Sequence, residues 1–344
     1  MKLKSLVIFV LVLTIAYSGY WYYLAYYAES YLSDRLDELE SSGAELEYKS
    51  FKVSGFPYRL ILELKDAEIT LVNDLVRFEV TSPRMEIFVQ PWNFSHLIAS
   101  ADISKMRIIL NRTGYSRFSV ETGPIRASLR KTSDGGTRLS FEGTSAAFAR
   151  ERGLANPPFD YVSVHLRIHG NDTAIANAEN RLFAPEIADI SFMARREVSG
   201  FESDSLLLSA LEFQITIRGH QMPEPQADSF ASWRDGGGTF EVNRVMLAWA
   251  SDALIGTGSL ALDETLRPLG ALNLQTSNVA LLANFLSHIG LIDGDAAQAL
   301  VMPAGQETGP SGDIPINLAM MIQNGRIMIS GVSLGIIESI INDR

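Results

Sequence analysis

The chain has 344 residues, 47% hydrophobic and 20% charged, enough apolar material to bury the core of one large β domain or two ordinary ones. Its 29 basic and 40 acidic residues give a formal net charge of -11, and with no cluster of Lys and Arg to neutralise phosphates this argues against a nucleic-acid partner. Cysteine is absent, which excludes disulfides, thiolate metal sites and thiol nucleophiles.

The first element is a helix. Lys2 and Lys4 precede an apolar run through Ala28 with no further charge before Glu29, long enough to cross roughly 30 Å of hydrocarbon. Tyr17, Tyr20, Trp21, Tyr22, Tyr23, Tyr26 and Tyr27 crowd its outer end, as amphipathic rings do at a membrane interface. The positive-inside rule keeps the lysines in the cytoplasm and exports everything after Ala28. A cleaved signal peptide starts similarly, but it has a shorter apolar core and small residues at its cleavage site, so a retained anchor is favoured. Leu24, Leu32, Leu36 and Leu39 recur at helical spacing among charges, which predicts an amphipathic stalk to about Ser41.

After Ser42 and Gly43 the apolar period becomes two. Strands are expected around 60–64, 69–71, 78–80, 85–89, 106–110, 118–120, 125–129 and 139–141, separated by turn residues such as Gly55 with Pro57 and Asp134 with Gly135 and Gly136. Beyond the break at Asn156, Pro157 and Pro158, strands are expected at 162–168, 190–194 and 211–217, with a helix over 173–180 between the first two. Pro223 and Pro225 mark residues 223–238 as a linker or loop. Strands at 239–249, 258–262 and 270–275 follow, then a helix carrying Val279, Leu282, Leu286 and Ile289 on one face. Two strands, 316–322 and 326–330, and a short apolar helix, 336–341, close the chain.

The organisation is therefore anchor 1–28, stalk 29–43, and a β body in two parts, 44–222 and 239–344. The fold class is mainly β with a few helices, a long antiparallel β meander or open half-barrel behind one transmembrane helix.

No constellation for catalysis or metal binding stands out. His165, Arg167 and His169 alternate with apolar residues, which places them on one strand face roughly 7 Å apart at each step, a solvated polar face rather than a metal helix. His96, His220 and His288 stand alone. Asp263 and Glu264 are neighbours on a turn and point apart. Gly236 to Gly238 lack the lysine of a phosphate-binding loop. Apolar sequence does exceed what a one-faced sheet needs, at Leu206 to Leu208 and at Leu318 to Ile322. Either both faces of those strands are covered, or Leu206, Leu208, Leu318, Met320 and Ile322 line an apolar groove.

The run Val53-Ser54-Gly55-Phe56-Pro57-Tyr58-Arg59-Leu60 resembles the start of the bacterial family called domain of unknown function 2125. The resemblance recurs in Trp233-Arg234-Asp235-Gly236-Gly237-Gly238, in Gly258 to Asp263 with Pro268 and Gly270, and in Asn324-Gly325-Arg326. It implies a membrane-anchored envelope protein of Gram-negative bacteria and carries no catalytic residues with it. In plan, one helix followed by a long β body, the chain is more loosely similar to AsmA-like proteins of phospholipid transport.

The expectation is a single-pass inner-membrane protein with a cytoplasmic N-terminus and a periplasmic body. It needs no cofactor, is not an enzyme, and binds or helps transport lipid along an apolar groove. Its partners would be the bilayer, a phospholipid or other envelope proteins. The alternative is a scaffold or envelope-assembly protein with a closed core, acting through protein contacts.

Overall fold

A computed structural model describes residues 3–41, 44–72, 76–103, 105–110, 117–150, 159–170, 184–196, 206–223, 227–249, 252–288, 291–304, 315–337 and 339. The expected mainly β fold holds, with every strand pairing antiparallel and one long apolar helix at the N-terminus. That helix, α1 (Leu3–Ser41), ends where the stalk was expected to end. Its segment Leu3–Ser30 is, among the described residues, the one helix long and apolar enough to cross a membrane, a property shared by anchors and signal sequences. The chain forms two compact units, residues 1–131 with 147–155, and residues 132–146 with 156–344.

The first unit is built around the hairpin of β3 (Leu60–Val72) and β4 (Val76–Gln90). Each strand is long enough to take different partners along its two halves. The first half of β3 pairs with β2 (Ser50–Ser54) and the second with β1 (Ala44–Glu47). On the other side, Arg84–Gln90 of β4 pair with β5 (Asn93–Asp102), whereas Val76–Thr81 pair with β6 (Lys105–Leu110). The change of partner falls at Ser82 and Pro83, where proline has no N–H for the ladder. The fully buried Ser82 hydroxyl lies 2.9 Å from the carbonyl oxygen of Arg84 and 2.7 Å from that of Asp102, and so ties β4 to the end of β5. On β3, Asp66 lies opposite Pro83 and is left unpaired with a φ of 49°, while the register is the same on either side of it. β7 (Arg117–Thr122) pairs with β6, and β8 (Ile125–Lys131) with β5.

The second unit is a simple meander. β9 (Thr137–Arg150) contributes Thr137–Ala146, followed by β10 (Phe159–Ile168), β11 (Glu186–Arg195), β12 (Ala210–Arg218), β13 (Thr239–Ala248), β14 (Ala253–Leu262), β15 (Pro268–Thr276), β16 (Ile316–Gln323), β17 (Arg326–Ile329) and β18 (Val332–Ile336). Each pairs with the next. Among its described residues three helices pack on the sheet: α2 (Ala227–Asp235), α3 (Val279–His288) and α4 (Gly294–Ala304). Asn278 caps α3 through its side-chain oxygen on the Leu281 N–H, and Asp293 caps α4 on Ala296.

Several expectations are corrected here. Residues 223–238 hold α2 and lie inside the second unit, because Phe230 and Trp233, three apart on one helical face, seat it on Ile217, Leu262 and Leu266. The Trp233 ring fits a slot bounded by Gly219 and Gly238, where a Cβ would come within 2.4 Å and 2.3 Å of it. Leu206 to Leu208 form a turn leading into β12 rather than a strand. Ile336 ends β18 instead of starting a helix, and the helix expected over 173–180 lies outside the described residues.

Candidate functional site

Four of the five expected groove residues, Leu206, Leu208, Leu318 and Met320, come together, but inside a packed core. Leu318 is 4% exposed and belongs to a cluster with Leu274, Leu282, Leu286 and Leu300, against which Leu206, Leu208 and Met320 pack. Ile322 is also buried. The helices α3 and α4 supply the cover of Leu206, Leu208, Leu318 and Met320, so these four side chains line no open groove.

An open site lies instead in the first unit, at the end where α1 meets the β strands. Leu3 to Ala16 of α1 are exposed throughout, and protein contact begins at the aromatic belt. Tyr17 donates its hydroxyl to the carbonyl of Pro57 at 2.5 Å, Tyr20 to that of Pro91 at 2.9 Å, and the Trp21 indole N–H to that of Arg59 at 3.2 Å. These carbonyls flank the ends of β3 and β4, where the sheet ladder offers no partner, and the polar tips of the rings satisfy them. Trp21 is 4% exposed and packs on Leu60 and Val89. Phe56 sets an edge against Trp21 and stacks on Tyr22 at 6.0 Å. Tyr23 stacks on Tyr27, and both stay exposed, as does Tyr26. Gly55 makes this arrangement possible. Its φ is +99°, the Arg59 N–H closes the turn onto its carbonyl, and a Cβ there would lie 2.6 Å from the Arg59 oxygen.

Strand alternation then separates two faces. Leu60, Val89, Leu97 and Leu129 are in register across β3, β4, β5 and β8, and the first two carry Trp21. The next row, Ile61, Phe88, Ile98 and Ser128, points to the opposite face. On that face lies a cavity of about 650 Å³ floored by Phe88 and Ile98 and lined by Arg59, Gln90, His96, Ser100 and Arg126. Tyr58 and Trp92 stand at its rim, 75% and 62% exposed, with Phe56 on the turn before Tyr58 and Phe94 at the start of β5 also exposed. Large aromatic side chains concentrated in solvent at one end of a unit mark a contact surface.

The chain matches, over residues 21–338, the family described as an uncharacterized protein conserved in bacteria, DUF2125. The chain belongs to this family. The match begins at Trp21, the docked residue, and takes in the whole DUF2125 β body while leaving out the uncovered start of α1. A search of curated proteins finds no match.

The electrostatics of the DUF2125 cavity are one-sided. Arg59 lies over the Phe88 ring at 5.7 Å, and among the described residues neither Arg59 nor Arg126 has an ionic partner. Among the described residues no carboxylate lines the cavity. Elsewhere in the unit Arg77 and Arg107 both hold Glu79, and Arg84 holds Glu63 and Glu86, whereas Arg130, opposite His96 on β8, is like Arg126 without an ionic partner among the described residues. Burial works against the Glu79 charge, but hydrogen bonds from Arg107 and Arg77 outweigh it and hold the carboxyl below its ordinary range. His96 Nε2 lies 3.1 Å from Ser128 Oγ. No acidic side chain among the described residues orients the other ring nitrogen, so the pair lacks the third member of an activated nucleophile.

A second cavity, of about 560 Å³, lies on the second unit and is polar. His165 and Arg167 line it, but His169 is buried rather than solvated, with 6% of its side chain exposed. Its Nε2 meets Asp189 at 2.8 Å, Asp189 accepts the Thr216 hydroxyl, and Thr216 accepts an amide N–H of Asn243. The remaining nitrogen, Nδ1, is buried without a partner, so this chain of hydrogen bonds leads to no reachable nucleophile. It fixes three neighbouring strands. Among the described residues no group of three His, Cys, Asp or Glu could hold a metal ion.

Proposed function

We propose that this DUF2125 protein is a single-pass inner-membrane protein with its β body in the periplasm, and that it binds lipid without catalysis in the cavity on β3, β4, β5 and β8. Lys2 and Lys4 support this orientation. One observation carries the reading: the belt Tyr17, Tyr20 and Trp21 is hydrogen-bonded to Pro57, Pro91 and Arg59. From Leu3 to Tyr20 the helix is about 27 Å long at 1.5 Å per residue, close to the hydrocarbon thickness. With that stretch in the bilayer, the turns carrying Phe56, Tyr58, Trp92 and Phe94 stand at headgroup level and the cavity opens beside an acyl source. A cavity of this size, apolar on its floor and polar around its edges, suits an amphiphile.

The test is mass spectrometry of lipid carried by the full chain extracted in mild detergent. Wild type is expected to retain lipid, and Ile98→Glu, a change on the cavity floor, is expected to lose it while melting cooperatively. Lipid-free wild type would overturn the proposal. The scaffold reading would then take its place, favoured by the closed core around Leu282, Leu300 and Leu318. A periplasm-only reporter fused after Arg344 checks the orientation, and an inactive fusion would contradict it.

A further inference from the structure

We infer that the lipid bound in the cavity of the first unit is a phospholipid of net negative charge, its headgroup lying between Arg59 and Arg126. The inference rests on the lipid-binding reading and adds the chemical class. Arg59 stands at one edge of the cavity, before β3, and Arg126 on β8 at the other, with Phe88 and Ile98 between them. Both guanidinium groups are exposed, and neither has an ionic partner among the described residues, in a chain whose net charge is -11. On the same face, Glu63 and Glu86 share the row of Ser100 and Arg126 and are held by Arg84 at 3.4 Å and 2.7 Å, and Asp102, two residues beyond Ser100 on β5, stands outside the cavity lining.

Two guanidinium groups over an apolar floor fit a phosphate joined to acyl chains, because planar N–H donors bind phosphate oxygens with direction as well as charge. The cationic group of a zwitterionic headgroup finds no carboxylate in the lining. Its choline would instead face the same two positive charges that attract the phosphate. The contact with the Phe88 ring also directs the Arg59 guanidinium over the cavity floor.

Purified full chain in neutral detergent, titrated with phosphatidylglycerol, with phosphatidylcholine of identical acyl chains and with inorganic phosphate, decides the matter by native mass spectrometry. Wild type is expected to prefer phosphatidylglycerol by about tenfold, the scale of one well-placed charged hydrogen bond. Arg59→Gln and Arg126→Gln should each bring its binding down towards that of phosphatidylcholine at an unchanged melting temperature, and Arg59→Lys should retain part of the preference. Equal binding of the two lipids, unmoved by either Gln variant, would overturn the charge assignment while leaving lipid binding intact. Binding of neither lipid would remove the underlying reading as well. Displacement of phosphatidylglycerol by millimolar inorganic phosphate would make free phosphate the ligand and overturn the lipid assignment.

Discussion

The indole of Trp21 donates to the carbonyl of Arg59 while the Arg59 side chain reaches the opposite face of the sheet and lies over Phe88. One residue thus joins the anchor helix to the cavity. Its backbone holds α1, and its guanidinium lines the site.

Trp21→Ala should therefore destabilise the first unit by about 3 kcal/mol or more, the usual cost of emptying a buried tryptophan site. Trp21→Phe keeps most of the packing and loses one hydrogen bond, at about 1 kcal/mol. Thermal melting in detergent separates the two, and equal melting temperatures for all three proteins would show that the docking is energetically idle.

Gly55→Val puts a β-branched residue at φ +99° and a Cβ on the Arg59 carbonyl. A cost of about 1–3 kcal/mol is expected for the strained backbone. Because that turn presents both Tyr58 and Arg59, lipid retention should fall with it. A variant that melts as wild type does would contradict the geometry of the turn.

Asp263 is a structural acid. Burial opposes its charge, yet the backbone N–H and guanidinium of Arg267 with the hydroxyl and N–H of Thr265 hold its pKa at about 2. The folded value lies below that of the unfolded chain, so the stabilisation is present above about pH 4 and is lost as pH falls towards 2, at about 2 kcal/mol in all. Asp263→Asn should lower stability at neutral pH and flatten the acid limb of the second unit between these values. Parallel acid unfolding curves for the two proteins would contradict this role.

Leu318→Asn buries an unpartnered amide beneath α3 and α4, at a cost on the order of 3 kcal/mol. The melting temperature should drop sharply, and protein that still folds should carry the same lipid as wild type. Loss of lipid without loss of stability would restore the groove expected there.

Much of the fold was readable because half-buried strands advertise themselves by alternation, as at Leu60 to Leu64 and Val162 to Ile168, and because Ser42 and Gly43 end the helical period. What escaped was set by tertiary context. Two pieces taken as separate, 60–64 and 69–71, form one strand in a single register, with only Asp66 unpaired between them. The helix α2 presents only Phe230 and Trp233 among polar neighbours, and α4 is rich in small residues, so neither shows a strong apolar stripe. Of the apolar runs Leu206 to Leu208 and Leu318 to Ile322, only the packed helices reveal that Leu206, Leu208, Leu318 and Met320 are core, while Ala319 and Met321 of the second run face solvent. The cavity left no local trace, since Arg59, Phe88, His96 and Arg126 come from four chain segments joined only by strand register. The aromatic belt was the one available signal. It marked the right end of the molecule without showing that Tyr17, Tyr20 and Trp21 bind protein as well.

The most direct test of the account is to reconstitute the full chain in phosphatidylglycerol vesicles containing a photoactivatable acyl-chain phospholipid, irradiate, and map the labelled residues by mass spectrometry. Label on Phe88, Ile98 and Trp92, in addition to the span before Tyr17, is the predicted result. Label confined to the span, or found on the core around Leu318 instead, would contradict lipid binding at the junction of anchor and β body.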